Sequence, residues 1–255
     1  MAHVTRRYFL LSSAALSLGC TMRRPAKLGT AASAAVRPPV VGQSWRYAKS
    51  DLYTRALVDD QIDRVAAVGQ TIDVDSRSEA AKDKATGGTS WGAAWLRKYI
   101  PHRDRPDGPL PTEVQAPWGK VLVDPHWSQV QVYETPIPLW PTQLAPGWKV
   151  LINTQYKTPS NEGGLPWDQT MAAHEWETIT VPAGQFRTLR FTNMVSFRSP
   201  DFARANSQRR ETVWFAPEVG RWVARESTGT YYIDDSSVDT PYEESAYRWE
   251  LLEWS

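Results

Sequence analysis

Apolar and polar residues alternate with a period of two through most of the chain's second half. Within Trp176–Val181, Ile179 and Val181 share one face, and Thr178 and Thr180 share the other. That period marks a strand buried on one side. Pro182-Ala183-Gly184 then turns the chain, because proline presets φ and glycine accepts conformations that other residues avoid. The return segment from Phe186 to Phe197 carries Leu189, Phe191, Val195 and Phe197 on one face. Thr212–Phe215 leads into a second turn, Ala216-Pro217-Glu218-Val219-Gly220, and Arg221–Arg225 runs back from it. A polar, acidic excursion over residues 228–244 precedes a closing strand, Tyr247–Trp254.

The first half is less regular. The folded body opens at Val41-Gly42-Gln43-Ser44-Trp45-Arg46-Tyr47, where Trp45 and Tyr47 alternate with polar neighbours. Residues 55–75 continue as strand, with Ile72 and Val74 between Thr71, Asp73 and Asp75; Ile62, Val65 and Ala66 also fit helical spacing, which leaves a short helix as the alternative. Residues 76–120 are polar and broken by Gly87-Gly88 and Pro106-Asp107-Gly108-Pro109, a long loop insertion. Val121, Val123, Val130 and Val132 restore strand character, and Pro136, Pro138 and Pro141 predict an extended connector. Pro146-Gly147-Trp148-Lys149-Val150 echoes the opening at Val41, which points to a tandem duplication of one β unit. The expected fold is mainly β: curved antiparallel sheet or sheets, as a sandwich or half-barrel. The expected divisions are 1–19, a signal peptide; 20–40, a tether; 41–144, the first β unit with its insertion; and 145–255, the second.

Composition sharpens this picture. Thirteen tryptophans, ten tyrosines and 19 prolines suit strands joined by long loops. Trp45, Trp214, Trp222 and Trp249 fall on alternating strands and are expected in the core. Trp91, Trp95, Trp118, Trp127, Trp140 and Trp167 fall in loops and are the candidate ligand-contacting aromatics. Lys and Arg total 29 against 28 Asp and Glu. Loss of Arg6 and Arg7 with a signal would move the net charge from +1 to −1 (27 against 28), so nucleic acid is not an expected partner.

The N-terminus carries the clearest chemistry. Arg6 and Arg7 precede an eleven-residue apolar run, Tyr8–Leu18, too short to span a bilayer core as a helix. Thr5-Arg6-Arg7-Tyr8-Phe9-Leu10 resembles the twin-arginine export signal, although Leu11 stands where Lys is frequent. Leu16-Ser17-Leu18-Gly19-Cys20 resembles a bacterial lipobox, with Ser17 in the place where Leu is usual. The resemblance implies acylation of Cys20 and a membrane held through that lipid. Thr21 in place of Asp favours the periplasmic face of the outer membrane over inner-membrane retention. Cys20 is the chain's only cysteine, so no internal disulfide forms.

Trp176-Glu177-Thr-Ile-Thr-Val181-Pro182-Ala183-Gly184-Gln185-Phe186, followed by Trp214-Phe215-Ala216-Pro217-Glu218-Val219-Gly220-Arg221-Trp222-Val223, is similar to a recurring pattern of exported bacterial β-rich lipoproteins and periplasmic proteins of unknown function. Phe215 replaces the pattern's usual Tyr. The resemblance implies a curved antiparallel sheet and carries no catalytic residues. The residues themselves supply little chemistry. His102, His126 and His174 lack metal-ligand spacing, and no serine sits in a nucleophile elbow. No metal and no cofactor is expected. The favoured reading is a non-catalytic envelope module that binds an envelope protein, glycan or lipid. A carrier of an apolar ligand comes second and an envelope-glycan hydrolase third. A carrier calls for an open apolar concave face, a binding module for a filled core with a patch on one flank, and a hydrolase for carboxylates or histidine converging in a cleft.

Overall fold

Among the described residues thirteen strands follow one another: β1 (Ser44–Asp51), β2 (Leu57–Val68), β3 (Ile72–Ala80), β4 (Thr112–Gln115), β5 (Lys120–Asp124), β6 (Gln131–Pro138), β7 (Lys149–Thr158), β8 (Asn161–Val181), β9 (Gly184–Arg198), β10 (Asn206–Ala216), β11 (Arg221–Tyr232), β12 (Tyr242–Glu243) and β13 (Tyr247–Trp254). The computed structural model describes residues 35–80, 112–127, 129–201, 204–233 and 240–255, all within one unit, Ala32–Ser255. Cys20, Arg6, Arg7, Trp91, Trp95 and His102 lie outside the described residues.

Each strand from β1 to β11 pairs antiparallel with the next, and β13 lies between β11 and β1. The sheet therefore meets itself, and twelve strands form a closed barrel to which β12 adds a short extension on β11. The antiparallel, mainly β expectation holds. Its finer form is corrected: the molecule is neither a sandwich nor an open half-barrel. Closure leaves no long edge with unpaired backbone groups. Two seams are narrow: β6–β7 is joined at Val132↔Lys157 and Tyr133↔Tyr156, and β4–β5 at Val114↔Val123 and Gln115↔Val121.

Three local expectations change. Residues 62–66 are strand, part of β2, because Asp63 and Val65 must both face inward. Pro136 and Pro138 belong to β6 instead of a connector. They are tolerated because this end of β6 has no β7 partner to demand their missing N–H groups. Trp214 faces outward, its indole N–H donating to Glu177 Oε1 at 2.7 Å. Trp45, Trp222 and Trp249 are buried.

The long β8 packs both ends of the barrel. A bulge between Ala173 and Trp176 resets its register against β9. Leu165, Trp167, Met171 and Ala173 point inward before the bulge, and Val181 does so after it. Two apolar clusters fill much of the interior. One gathers Trp45, Trp140, Phe215, Val219, Leu251 and their neighbours. The other gathers Tyr133, Tyr156, Trp167, Val195 and Phe197. An N-terminal strap closes the first: Arg37 N–H donates to the Pro217 carbonyl at 2.8 Å, and Val36 packs on the cluster.

Candidate functional site

Charged side chains lie between the two clusters. Asp63 on β2 falls on the inward parity of Val65, and Arg221 opens β11 in a run, Arg221 to Ala224, that is buried throughout across a bulge. Arg221 Nη2 donates to Asp63 Oδ2 at 2.9 Å, with side-chain exposures of 4% and 0%. Asp63 Oδ1 also accepts from Ser76 Oγ at 2.7 Å and Gln61 Nε2 at 2.9 Å. Glu113 on β4 lies 3.7 Å from Arg221 Nη1 and accepts from Gln115 Nε2 at 2.6 Å. Gln115 Oε1 in turn accepts the Gly119 N–H at 2.7 Å. Each deep carboxylate therefore has a cation and at least one neutral donor.

The network continues to a more exposed end. His126 Nδ1 is 2.8 Å from Asp124 Oδ1 and 3.8 Å from Glu113 Oε2. Trp127 Nε1 donates to Asp124 Oδ2 at 2.8 Å. Burial alone would lower the His126 pKa; the hydrogen bond and charge of Asp124, then Glu113 and Asp63, outweigh it and hold the imidazole above its ordinary value. Burial would raise Asp63, but Arg221 first, then His126, Gln61 and Ser76, hold it below the carboxylate range. Asp124 is likewise lowered, its burial outweighed by His126 and Trp127. Burial lowers Arg221 too, but Asp63 and Glu113 override it and keep the guanidinium charged.

The four described loop tryptophans face protein. Trp140 and Trp167 are 6% and 2% exposed. Trp118 stands edge-on to Trp140 with ring centroids 5.3 Å apart, and Trp127 meets Trp167 edge-on at 5.4 Å. These four rings pack with the aromatic clusters of the barrel interior. His174 bonds Thr192 on the outer wall. The interior charges were missed because a polar residue at core parity reads, in sequence, like an interruption. The signal that finds Asp63 is its period-two relation to Val65; Arg221 carries no such signal, because a bulge at Val223 breaks the alternation of β11.

A second feature lies outside. Outward side chains of four adjacent strands line a groove of about 540 Å³, among them Asp168, Met194, Arg210 and Thr228. Tyr53 and Glu243 stand at its rim. Met194 is 56% exposed and Tyr53 76%.

No family model matches the chain, and no curated protein matches it in sequence. Solved structures with a related shape include an inferred lipoprotein of Parabacteroides distasonis, at 15% identity and a TM-score of 0.45, covering 86% of this chain and 97% of that one. An inferred exported protein with a YmcC-like fold from Bacteroides fragilis aligns at 12% identity and 0.47, over 87% and 99%. The hypothetical lipoprotein YmcC from Escherichia coli aligns at 8% and 0.39, over 84% and 85%.

Proposed function

We propose that the chain is an exported, lipid-anchored envelope protein that works as a non-catalytic binding module, with the groove across β8–β11 as its working surface. The observation that carries this reading is the division of the barrel wall. The deep interior charges are paired with one another and enclosed by aromatic rings, whereas the groove presents Met194, Asp168 and Arg210 to solvent. A lining that mixes Met194, Tyr53 and Ala246 with both signs of charge suits a protein segment better than an acyl chain. The hydrolase reading finds its carboxylates and histidine together, but Asp63 and Glu113 are 0% and 5% exposed and held by Arg221. The carrier reading asks for open apolar surface, and the interior apolar side chains pack on one another.

A photo-cross-linking residue placed at Met194, compared with one at Leu151 on the outer face of β7, tests this in intact cells. Leu151 is 66% exposed and outside the groove. A discrete cross-linked protein from position 194 alone is expected. Equal labelling from both positions, or none from 194, would remove the groove as the working surface.

A further inference from the structure

Above the charge network, the barrel lumen holds a guanidinium with no counter-ion among the described residues. Arg225 lies on the inward row of β11, paired with Val213 on one side and Trp249 on the other, both buried. Its guanidinium carbon is 4.1 Å from the Trp249 ring centroid and 5.0 Å from that of Trp222. The structure gives it no hydrogen bond and no ion pair among the described residues, and its Nε is buried without a partner. Trp249 is 7% exposed, and its indole Nε1 is also buried without a partner. Lys49 Nζ lies 5.3 Å from the same indole and 3.9 Å from the Tyr247 ring. Arg221 contrasts with Arg225, because its charge is matched by Asp63.

Aromatic faces attract a guanidinium but accept none of its in-plane hydrogen bonds. A desolvated donor without an acceptor is unfavourable, and here two stand side by side. Water reaches this level of the lumen: the inward-facing Lys49, Asn193, Glu211, Arg225 and Tyr247 are half-buried, not sealed. The nearest inward carboxylate along β10 is Glu211, which pairs with Ser227, one step along from Arg225, and accepts from Asn193 Nδ2 at 3.3 Å.

We propose that Arg225 and Trp249 form a lumenal site for a small oxyanion, a carboxylate or phosphate group, bound by the Arg225 fork and the Trp249 N–H. Planar guanidinium donors match both oxyanions, and the indole adds a donor outside the charge pairing. The site is independent of the groove.

The test titrates the folded barrel with sodium phosphate and with sodium acetate, against sodium chloride at matched ionic strength. Tryptophan fluorescence and the Arg225 Nε–H NMR resonance are followed together. A saturable response to either oxyanion, absent with chloride, is expected, and the anion that gives it identifies the ligand chemistry. Arg225→Gln should weaken that response by about tenfold or more, the loss of a charge-assisted hydrogen bond. Arg210→Gln, in the outer groove, should leave it unchanged, and Glu211→Gln should tighten it by removing a nearby negative charge. Arg225→Lys keeps the charge but loses the fork, so weakened binding with an unchanged near-UV spectrum would separate recognition from folding. No response above chloride, or an equal response in Arg225→Gln, would overturn the proposal.

Discussion

Arg221 reaches across the barrel to two carboxylates, Asp63 and Glu113, and all three are nearly sealed from water. Removing one partner of such a set leaves an uncompensated buried charge, at a cost of about 3–5 kcal/mol. Arg221→Met should therefore lower the urea midpoint sharply with an unchanged slope. Adding Asp63→Asn to it should recover part of the loss, because the stranded charge is then gone; a double variant weaker than the single would contradict the pairing. His126 makes the fold pH-sensitive. Its pKa is raised above 6.5, so its stabilising charge is fully present below 6.5 and lost as pH rises through the folded value. Asp63 and Asp124 are lowered from 3.8, so their contribution is present above 3.8 and lost as pH falls through the lowered values. Melting temperature should thus peak between about pH 4 and 6.5. His126→Gln should flatten the alkaline limb and spare the acid limb.

At the scale of elements, turn chemistry was the most legible part of the sequence. Pro182-Ala183-Gly184 is a tight connection: β8 ends at Val181, β9 starts at Gly184, and Val181 pairs with Gly184. The inward row of β9 matches the alternation at Leu189, Phe191, Val195 and Phe197. The first fifteen residues of β8 were not legible, because Pro166 and Gly163-Gly164 look like breakers although they lie in the strand. The β4–β5 turn shows how tightly elements meet. Gly119 has a φ of +88°, and a Cβ there would come within 2.5 to 2.8 Å of three Trp140 indole atoms. Gly119→Ala combines backbone strain with overpacking against a rigid ring, and a loss of about 1–3 kcal/mol is expected in thermal melts. A changed near-UV signal from Trp140 should accompany it; an unaltered melt would mean the turn relaxes freely.

For the whole molecule, closure could not be read from the chain. A β10–β11 hairpin looks the same in a sandwich as in a barrel. The pair that seals the ring, β1 with β13, joins Trp45 to Trp254 across almost the entire described chain. The outer wall carries clusters of charge, among them Arg46 with Asp60 and Glu253, Arg190 with Glu175 and Glu177, and Arg248 with Glu226 and Glu250. A membrane-spanning barrel presents an apolar band outward instead. This charged wall does not offer one among the described residues, and the proposed attachment to a membrane rests on the lipid that the sequence around Cys20 implies. We propose that this anchor sets where the groove works. Intact mass and detergent-phase partition of the matured protein, wild type against Cys20→Ala, test it most directly. An acylated mass beginning at Cys20, partition into detergent, and a soluble, unmodified Cys20→Ala protein are expected. An unmodified wild-type protein that stays in the aqueous phase would contradict it.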